Sequence, residues 1–216
     1  MGRVPFKAFP KIARLRRTVI ITEKLDGTNA QVRISADGEV SEYEPEFDTV
    51  VCTPPHVHNV RAGSRTRWLS PESKESDNLG FAAWVRDNAT TLVADLGEGV
   101  HYGEWWGRKI QRAYGLDVRR FSLFNTILWN YDGLGSWRGR QSADRQFLTP
   151  NLSVVPLLPW GSLDSVEAAV DYLRMYGSVA APGFMDPEGV VVFHPASGTS
   201  FKQTLVKDED PKGVGK

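Results

Sequence analysis

The stretch that most restricts the fold is Val19-Ile20-Ile21-Thr22-Glu23-Lys24-Leu25-Asp26-Gly27. Its β-branched start predicts a buried strand over 18–24. That strand ends in a lysine, with an aspartate two residues further on and a glycine after it. Partial burial disfavours the charged form of a lysine, and a neutral amine so placed is a nucleophile. Asp26 could hold or tune that amine, and Gly27 permits close approach of backbone to a ligand. A strand ending in a solvated lysine, followed by an Asp-Gly turn, accounts for the same residues. The rest of the chain has to decide between the two.

After a basic lead-in over 1–17, residues 29–35 alternate well enough to partner the first strand, and Asp37-Gly38 marks a hairpin turn. A further strand is expected over 47–52. The Pro54-Pro55 pair then predicts a loop as far as Arg61. Phe81, Trp84, Val85, Asn88, Leu92 and Val93 fall at helical spacing, which predicts one amphipathic helix over 79–95. Strands are expected over 100–106 and 121–129, with a Gly- and Arg-rich loop over 133–145 and an extended run over 152–158. Ser162 is a fair cap for a helix over 163–176 that stops at Gly177. Two final strands, 188–194 and 200–206, join around Ala196-Ser197-Gly198. No linker or repeat divides residues 1–216, so the expectation is a single α+β domain built on antiparallel sheets.

Composition narrows the function classes. No apolar run is long enough to span a membrane, and no signal peptide is expected at the start. The single cysteine, Cys52, excludes an intramolecular disulfide and fits a reducing, cytoplasmic setting. Net charge is zero, yet basic residues gather at Arg14, Arg16 and Arg17, at Arg61, Arg65 and Arg67, and at Arg108, Lys109 and Arg112. Such segregation permits a face for nucleic-acid phosphates, and equally a solvated surface. The seven tryptophans could build core or stack bases, though Trp105 and Trp106, being adjacent in a strand, must face opposite ways. His56 and His58 have the spacing of a metal pair but lack further ligands nearby, so exposed loop histidines are expected.

Three more stretches carry chemistry: Tyr102-Gly103-Glu104, Glu188-Gly189-Val190-Val191, and the 201–207 strand with Lys202 and Lys207. In this order they resemble the covalent nucleotidyltransferase superfamily of ATP-dependent DNA and RNA ligases and mRNA capping enzymes. Lys24-Leu25-Asp26-Gly27 is similar to the first motif, Tyr102-Gly103-Glu104 to the third, and Phe121 to Asn125 to the aromatic motif that follows. Glu188-Gly189-Val190-Val191 is similar to the fourth motif and the Lys202 strand to the fifth. Asn29, followed later by Ser64-Arg65, resembles RNA ligases that seal 3′-OH/5′-phosphate ends; DNA ligases and capping enzymes more often carry arginine where Asn29 stands.

The resemblance implies the ligase adenylation-domain fold: two antiparallel sheets with flanking helices and a central nucleotide cleft. It implies that Lys24, oriented by Asp26, attacks ATP to form a lysyl-AMP, which passes to an RNA 5′-phosphate and is displaced by a 3′-OH. Lys202 would sit on the α-phosphate, Phe124 would stack on adenine, and Arg65 would meet the ribose or 5′-phosphate. Glu104 would bind the ribose or a metal-bound water, with Glu23 and Asn29 also beside the nucleotide. Mg2+ or Mn2+ is implied, with Glu188 and Glu104 as its candidate ligands. Two departures stand out. Thr204 occupies the place of the fifth motif's second lysine, and Lys207 lies about 10 Å further along the strand and on the opposite face. No appended domain fits after the fifth motif, which implies a partner protein, or compensation by Arg14, Arg16, Arg17 and the 133–145 loop. A DNA nick ligase, or a nucleotide- or RNA-binding module without turnover, remains open on these residues.

Overall fold

The computed structural model describes residues 6–9, 11–36, 48–53, 56–129 and 147–206. Among the described residues nine strands form two sheets. The smaller has the order β1 (Ile20–Lys24), β8 (Gly189–His194), β9 (Thr199–Thr204), all antiparallel. The larger runs β3 (Thr49–Thr53), β4 (His56–Ser64), β2 (Thr28–Ala36), β5 (Gly99–Gly107), β6 (Arg119–Leu123), β7 (Leu152–Val154). Its last pair, β6 with β7, is parallel, so this sheet is mixed rather than wholly antiparallel.

Each sheet buries one face under helix. Val19, Ile21, Val190 and Val192 pack against Ala169, Val170 and Leu173 of α4 (Val166–Tyr176). Ala30, Val32, Ile34, Val60 and Ala62 of the larger sheet pack against α1 (Phe81–Asp87) and α2 (Ala89–Leu96). Strict strand alternation leaves the opposite faces of both sheets to look at each other. Between them lies a cleft. A smaller core of Leu25, Trp106, Tyr114, Val155 and Ala181 also forms among the described residues.

Several expectations need correcting. The strand over 29–35 does not hairpin back on β1; β1 pairs with β8, and β2 joins the other sheet. Gly27 explains the switch, because a Cβ there would lie 2.4 Å from the Trp105 carbonyl oxygen. The glycine lets the chain cross between sheets against β5. The loop expected up to Arg61 is β4 from His56 onward, and its alternation buries His58. The helix over 79–95 is two helices that meet at Asn88, whose φ of −113° leaves the helical region while its side chain donates to the Trp84 carbonyl oxygen at 2.8 Å. The strand over 121–129 stops at Leu123. Asn125 Oδ1 then accepts from Leu128 N at 3.0 Å and starts the short helix α3 (Thr126–Trp129). Ser162 and Ser165 form a capping box around one tight turn, after which α4 runs to Tyr176 and Gly177 closes it with φ 79°.

The tryptophans divide between structures. Trp84 and Trp105 join Phe81 and Phe121 in an aromatic cluster with ring centroids 5.0–5.8 Å apart, while Trp106 faces the opposite core. Both members of the Trp105-Trp106 pair are therefore core. The Asp37-Gly38 turn, the Pro54-Pro55 pair, the 133–145 loop and Lys207 lie outside the described residues. Among the described residues no helix is long and apolar enough to cross a membrane.

Candidate active site

The cleft holds a cavity of about 580 Å³. One wall comes from β1 and β8, where Ile20, Thr22 and Lys24 alternate inward beside Val191 and Phe193. The other comes from Asn29, from Val100, Tyr102 and Glu104 of β5, and from the 124–128 segment. The charged side chains Lys24 and Glu104 lie at one end, and the rest is lined mainly by apolar side chains, with Thr22, Asn125, Thr126 and Ser200 among them.

Lys24 sits on the last rung of the β1–β8 ladder, opposite Gly189. Its Nζ donates to Glu188 Oε2 in an ion pair whose side chains are 20% and 12% exposed. Across the cleft Glu104, itself 7% exposed, accepts from Gly27 N at 3.1 Å and from Asn29 Nδ2 at 3.0 Å. Burial pushes the Glu104 carboxyl up to about 7; Lys24 and these two donors oppose the rise, and Glu188 adds to it. Lys24 and Glu104 thus line one end of the cavity, and Glu188, outside the lining, adjoins it through Lys24. That is a constellation for handling phosphate and a nucleophilic amine.

The remaining candidates are placed unevenly. Phe124, 42% exposed, lines the cavity, and its N–H extends the β5 ladder by donating to the Tyr102 carbonyl oxygen at 2.9 Å. Lys202 stands opposite Val191 and two residues from Ser200, both cavity-lining, so it shares the cleft face; it is exposed. Glu23 borders the cavity, but its carboxylate points into the α4 side. There it accepts from Ser178 Oγ at 2.6 Å, Val179 N at 2.8 Å and Ala180 N at 2.9 Å. Burial raises the Glu23 carboxyl pKa, with those three hydrogen bonds opposing. Arg65 is exposed just beyond Ser64, which pairs with Ala30, so it lies at the Asn29 end of the sheet but outside the cavity lining. Asp26 is turned from Lys24 toward Arg112, whose Nε donates to its Oδ2 at 3.1 Å.

A model of the RNA ligase family matches residues 17–207. The chain belongs to the RNA ligase family. No curated protein and no solved structure matches it.

As an RNA ligase family member, the chain brings Lys24, Asn29, Glu104 and Phe124 together around one cavity, with Glu188 behind Lys24 and Lys202 on the rim. Tyr102 was legible as well, since it precedes Glu104 by two residues in the same strand and therefore shares its face; it is 58% exposed in the cavity wall. Arg112 had no sequence signal beyond its charge. It was a candidate for RNA phosphates beside Arg108 and Lys109; those two are exposed, whereas Arg112 is paired with Asp26 and with Asp186. Arg16 of the N-terminal basic group pairs with Asp164 at 2.9 Å.

The donor set also bears on a divalent cation. Among the described residues no group of three or more His, Cys, Asp or Glu side chains could hold a metal. Glu188 and Glu104 do offer hard oxygen donors beside the same space. A Mg2+ or Mn2+ ion held there would draw the rest of its shell from phosphate oxygens and water, as hard cations in nucleotide sites do.

Proposed function

We propose that this RNA ligase family member has the nucleotidyltransferase fold and is an ATP-dependent RNA ligase, sealing 3′-OH and 5′-phosphate RNA ends through an AMP linked to Lys24. The observation that carries the reading is the Lys24–Glu188 pair at the polar end of an otherwise apolar cleft. An apolar slot walled by Val191, Phe193, Tyr102 and Phe124 suits a flat heterocycle, and the charged end suits phosphates.

In the first step Lys24 passes its ammonium proton to Glu188, the acceptor it already touches, and the freed amine attacks the α-phosphorus of ATP in line with the departing pyrophosphate. The N–P bond forms as the P–O bond to pyrophosphate breaks, and the second Nζ proton leaves with the pyrophosphate. Lys202 on the cleft face offsets charge on the phosphate. Phe124 and Tyr102 hold the base, and Glu104 and Asn29 meet the ribose side. Glu188 and Glu104 would hold a divalent cation beside the phosphates, and it would supply further charge neutralisation there. The AMP then passes to an RNA 5′-phosphate, and a 3′-OH displaces it as the phosphodiester closes.

The deciding experiment incubates the protein with α-labelled ATP and a divalent cation and resolves it on a denaturing gel beside Lys24→Ala. Label that survives denaturation in wild type and vanishes in the variant is the expected result, followed by sealing of nicked RNA. Sealing of nicked DNA alone would replace RNA with DNA as the substrate. Absence of label from folded protein carrying no prior AMP by mass would leave a reversible nucleotide- or RNA-binding module.

A further inference from the structure

We propose that Arg112 is a positioning residue that locks the backbone carrying Lys24 to the backbone carrying Glu188. The β1–β8 ladder ends at the Lys24–Gly189 rung, so no further backbone pairing between these two strands holds Lys24 beside Glu188. Beyond that rung the chain after Lys24 leaves for the other sheet, and the chain before Glu188 leads away through the 178–187 segment. Arg112 spans the gap. Its Nε donates to Asp26 Oδ2 at 3.1 Å, and its Nη1 donates to Asp186 Oδ2 at 2.5 Å and to the Asp186 carbonyl oxygen at 3.0 Å. Asp26 lies two residues after Lys24, and Asp186 lies two residues before Glu188. The guanidinium therefore closes a ring whose other side is the Lys24–Glu188 pair itself.

The segment that presents Arg112 is built to be held still. Tyr114 Oη accepts from Asp26 N at 2.9 Å, a second tie onto the same turn. The Tyr114 ring is buried edge-on against Trp106 at 4.9 Å and tilted against Phe184 at 4.7 Å. Lys109, Gln111, Ala113 and Tyr114 all adopt positive φ, between 44° and 59°. Four non-glycine residues in that region within six positions is a costly backbone that only the surrounding packing sustains. A merely solvent-facing basic loop would have no use for it. Arg suits the task better than Lys, because its planar fork reaches two carboxylates at once.

This inference rests on the lysyl-AMP reading, and its test separates the two. Arg112→Ala, Arg112→Lys and Asp186→Asn are compared with wild type in single-turnover labelling across ATP concentrations. Arg112→Ala is expected to lower the maximal labelling rate roughly 10- to 100-fold, the scale of an ångström-size misplacement. Half-saturating ATP should move less than about threefold, because uniform nucleotide binding is untouched. Arg112→Lys should recover part of the rate, and Asp186→Asn, altering an exposed side chain that no core depends on, should lose a smaller part. Unchanged maximal rates in all three would overturn the proposal, as would a raised half-saturating ATP at constant rate. A loss in Arg112→Ala that Lys does not relieve and that tracks a collapse in melting temperature would also overturn it. If wild type takes no label, the lysyl-AMP reading fails by itself, and amide hydrogen exchange decides the clamp. Faster exchange at residues 25–27 and 186–189 in Arg112→Ala then supports it, and unchanged exchange rejects it.

Discussion

Glu104 is buried between two donors from the Gly27–Asn29 turn, within the influence of Lys24 on one side and Glu188 on the other. Desolvation dominates these influences, so the folded protein holds its proton more tightly than the unfolded chain does. The sign of the linkage follows. A carboxyl raised above its unfolded value favours folding most at low pH, and that contribution is lost as pH rises from about 4.5 through about 7. Glu104→Gln keeps the shape and removes the titration, and Asn29 can turn its amide to accept from the new one. In urea unfolding, the variant is expected to match wild type near pH 4.5 and to exceed it by roughly 2 kcal/mol at pH 8. A difference that does not vary with pH would show that folding leaves the Glu104 carboxyl unshifted, and one that shrinks as pH rises would show that the folded state stabilises the ionised carboxylate. Glu23, only 1% exposed, is the contrasting case, with three donors closed around its carboxylate. It ties β1 to the segment after α4 and so supports the strand that ends in Lys24.

Register explains what the elements contribute. Lys24 and Thr204 both pair with Gly189, one from each side, so they stand level across the smaller sheet with a glycine between them. A Cβ on Gly189 would lie 2.1 Å from the Gln203 carbonyl oxygen, which explains the glycine and leaves the space between Lys24 and Thr204 without a side chain. Thr204 is the position where the resemblance to related nucleotidyltransferases calls for a second lysine, and the geometry puts that position in line with Lys24. Thr204→Lys is therefore expected to lower half-saturating ATP in the labelling assay by about tenfold, the worth of one charge-assisted contact. No change, or a rise, would mean that this rung does not face the phosphates. The sequence carried this much because Lys24, Glu104, Glu188 and Lys202 lie in or beside strands whose apolar alternation fixes which way they point. It failed where partners are chosen at long range. Nothing in residues 29–35 says that they pair with β4 and β5 and not with β1, since an alternating strand fits any apolar sheet edge. Asn88 marks a break between helices and Asn125 the start of one, through local geometry and side-chain hydrogen bonds that periodicity does not register. Arg112 was unreadable for a similar reason: its partners are 86 and 74 residues away.

At the scale of the molecule, the described chain has helix α4, the smaller sheet, the cleft, the larger sheet, and helices α1 and α2 in succession. Each sheet has its own core against its own helices, and the third core around Leu25, Trp106 and Tyr114 joins them beside the Lys24 end. The two sheets are thus packed together where the charged residues lie, and face each other across the cavity elsewhere. A ligand that fills the cavity touches both walls, so it binds the folded arrangement and has no equivalent site in the unfolded chain. Binding of that kind raises stability by mass action, about 2.7 kcal/mol at a hundredfold excess over the dissociation constant. For a chain of this size that corresponds to a melting-temperature rise of roughly 5–10 °C. ATP is expected to produce that rise in wild type and also in Lys24→Met, because most of the contact is with the walls and not with Nζ. The wild-type protein carrying AMP on Lys24 should keep its rise after free nucleotide is removed by gel filtration, whereas Lys24→Met should lose it. Retention in both proteins would mean tight reversible binding. Loss in both would mean that the cavity binds nucleotide without ever becoming covalently charged. GTP in the same experiment measures the base preference of the apolar walls, and a rise equal to that with ATP would count against ATP as the specific substrate.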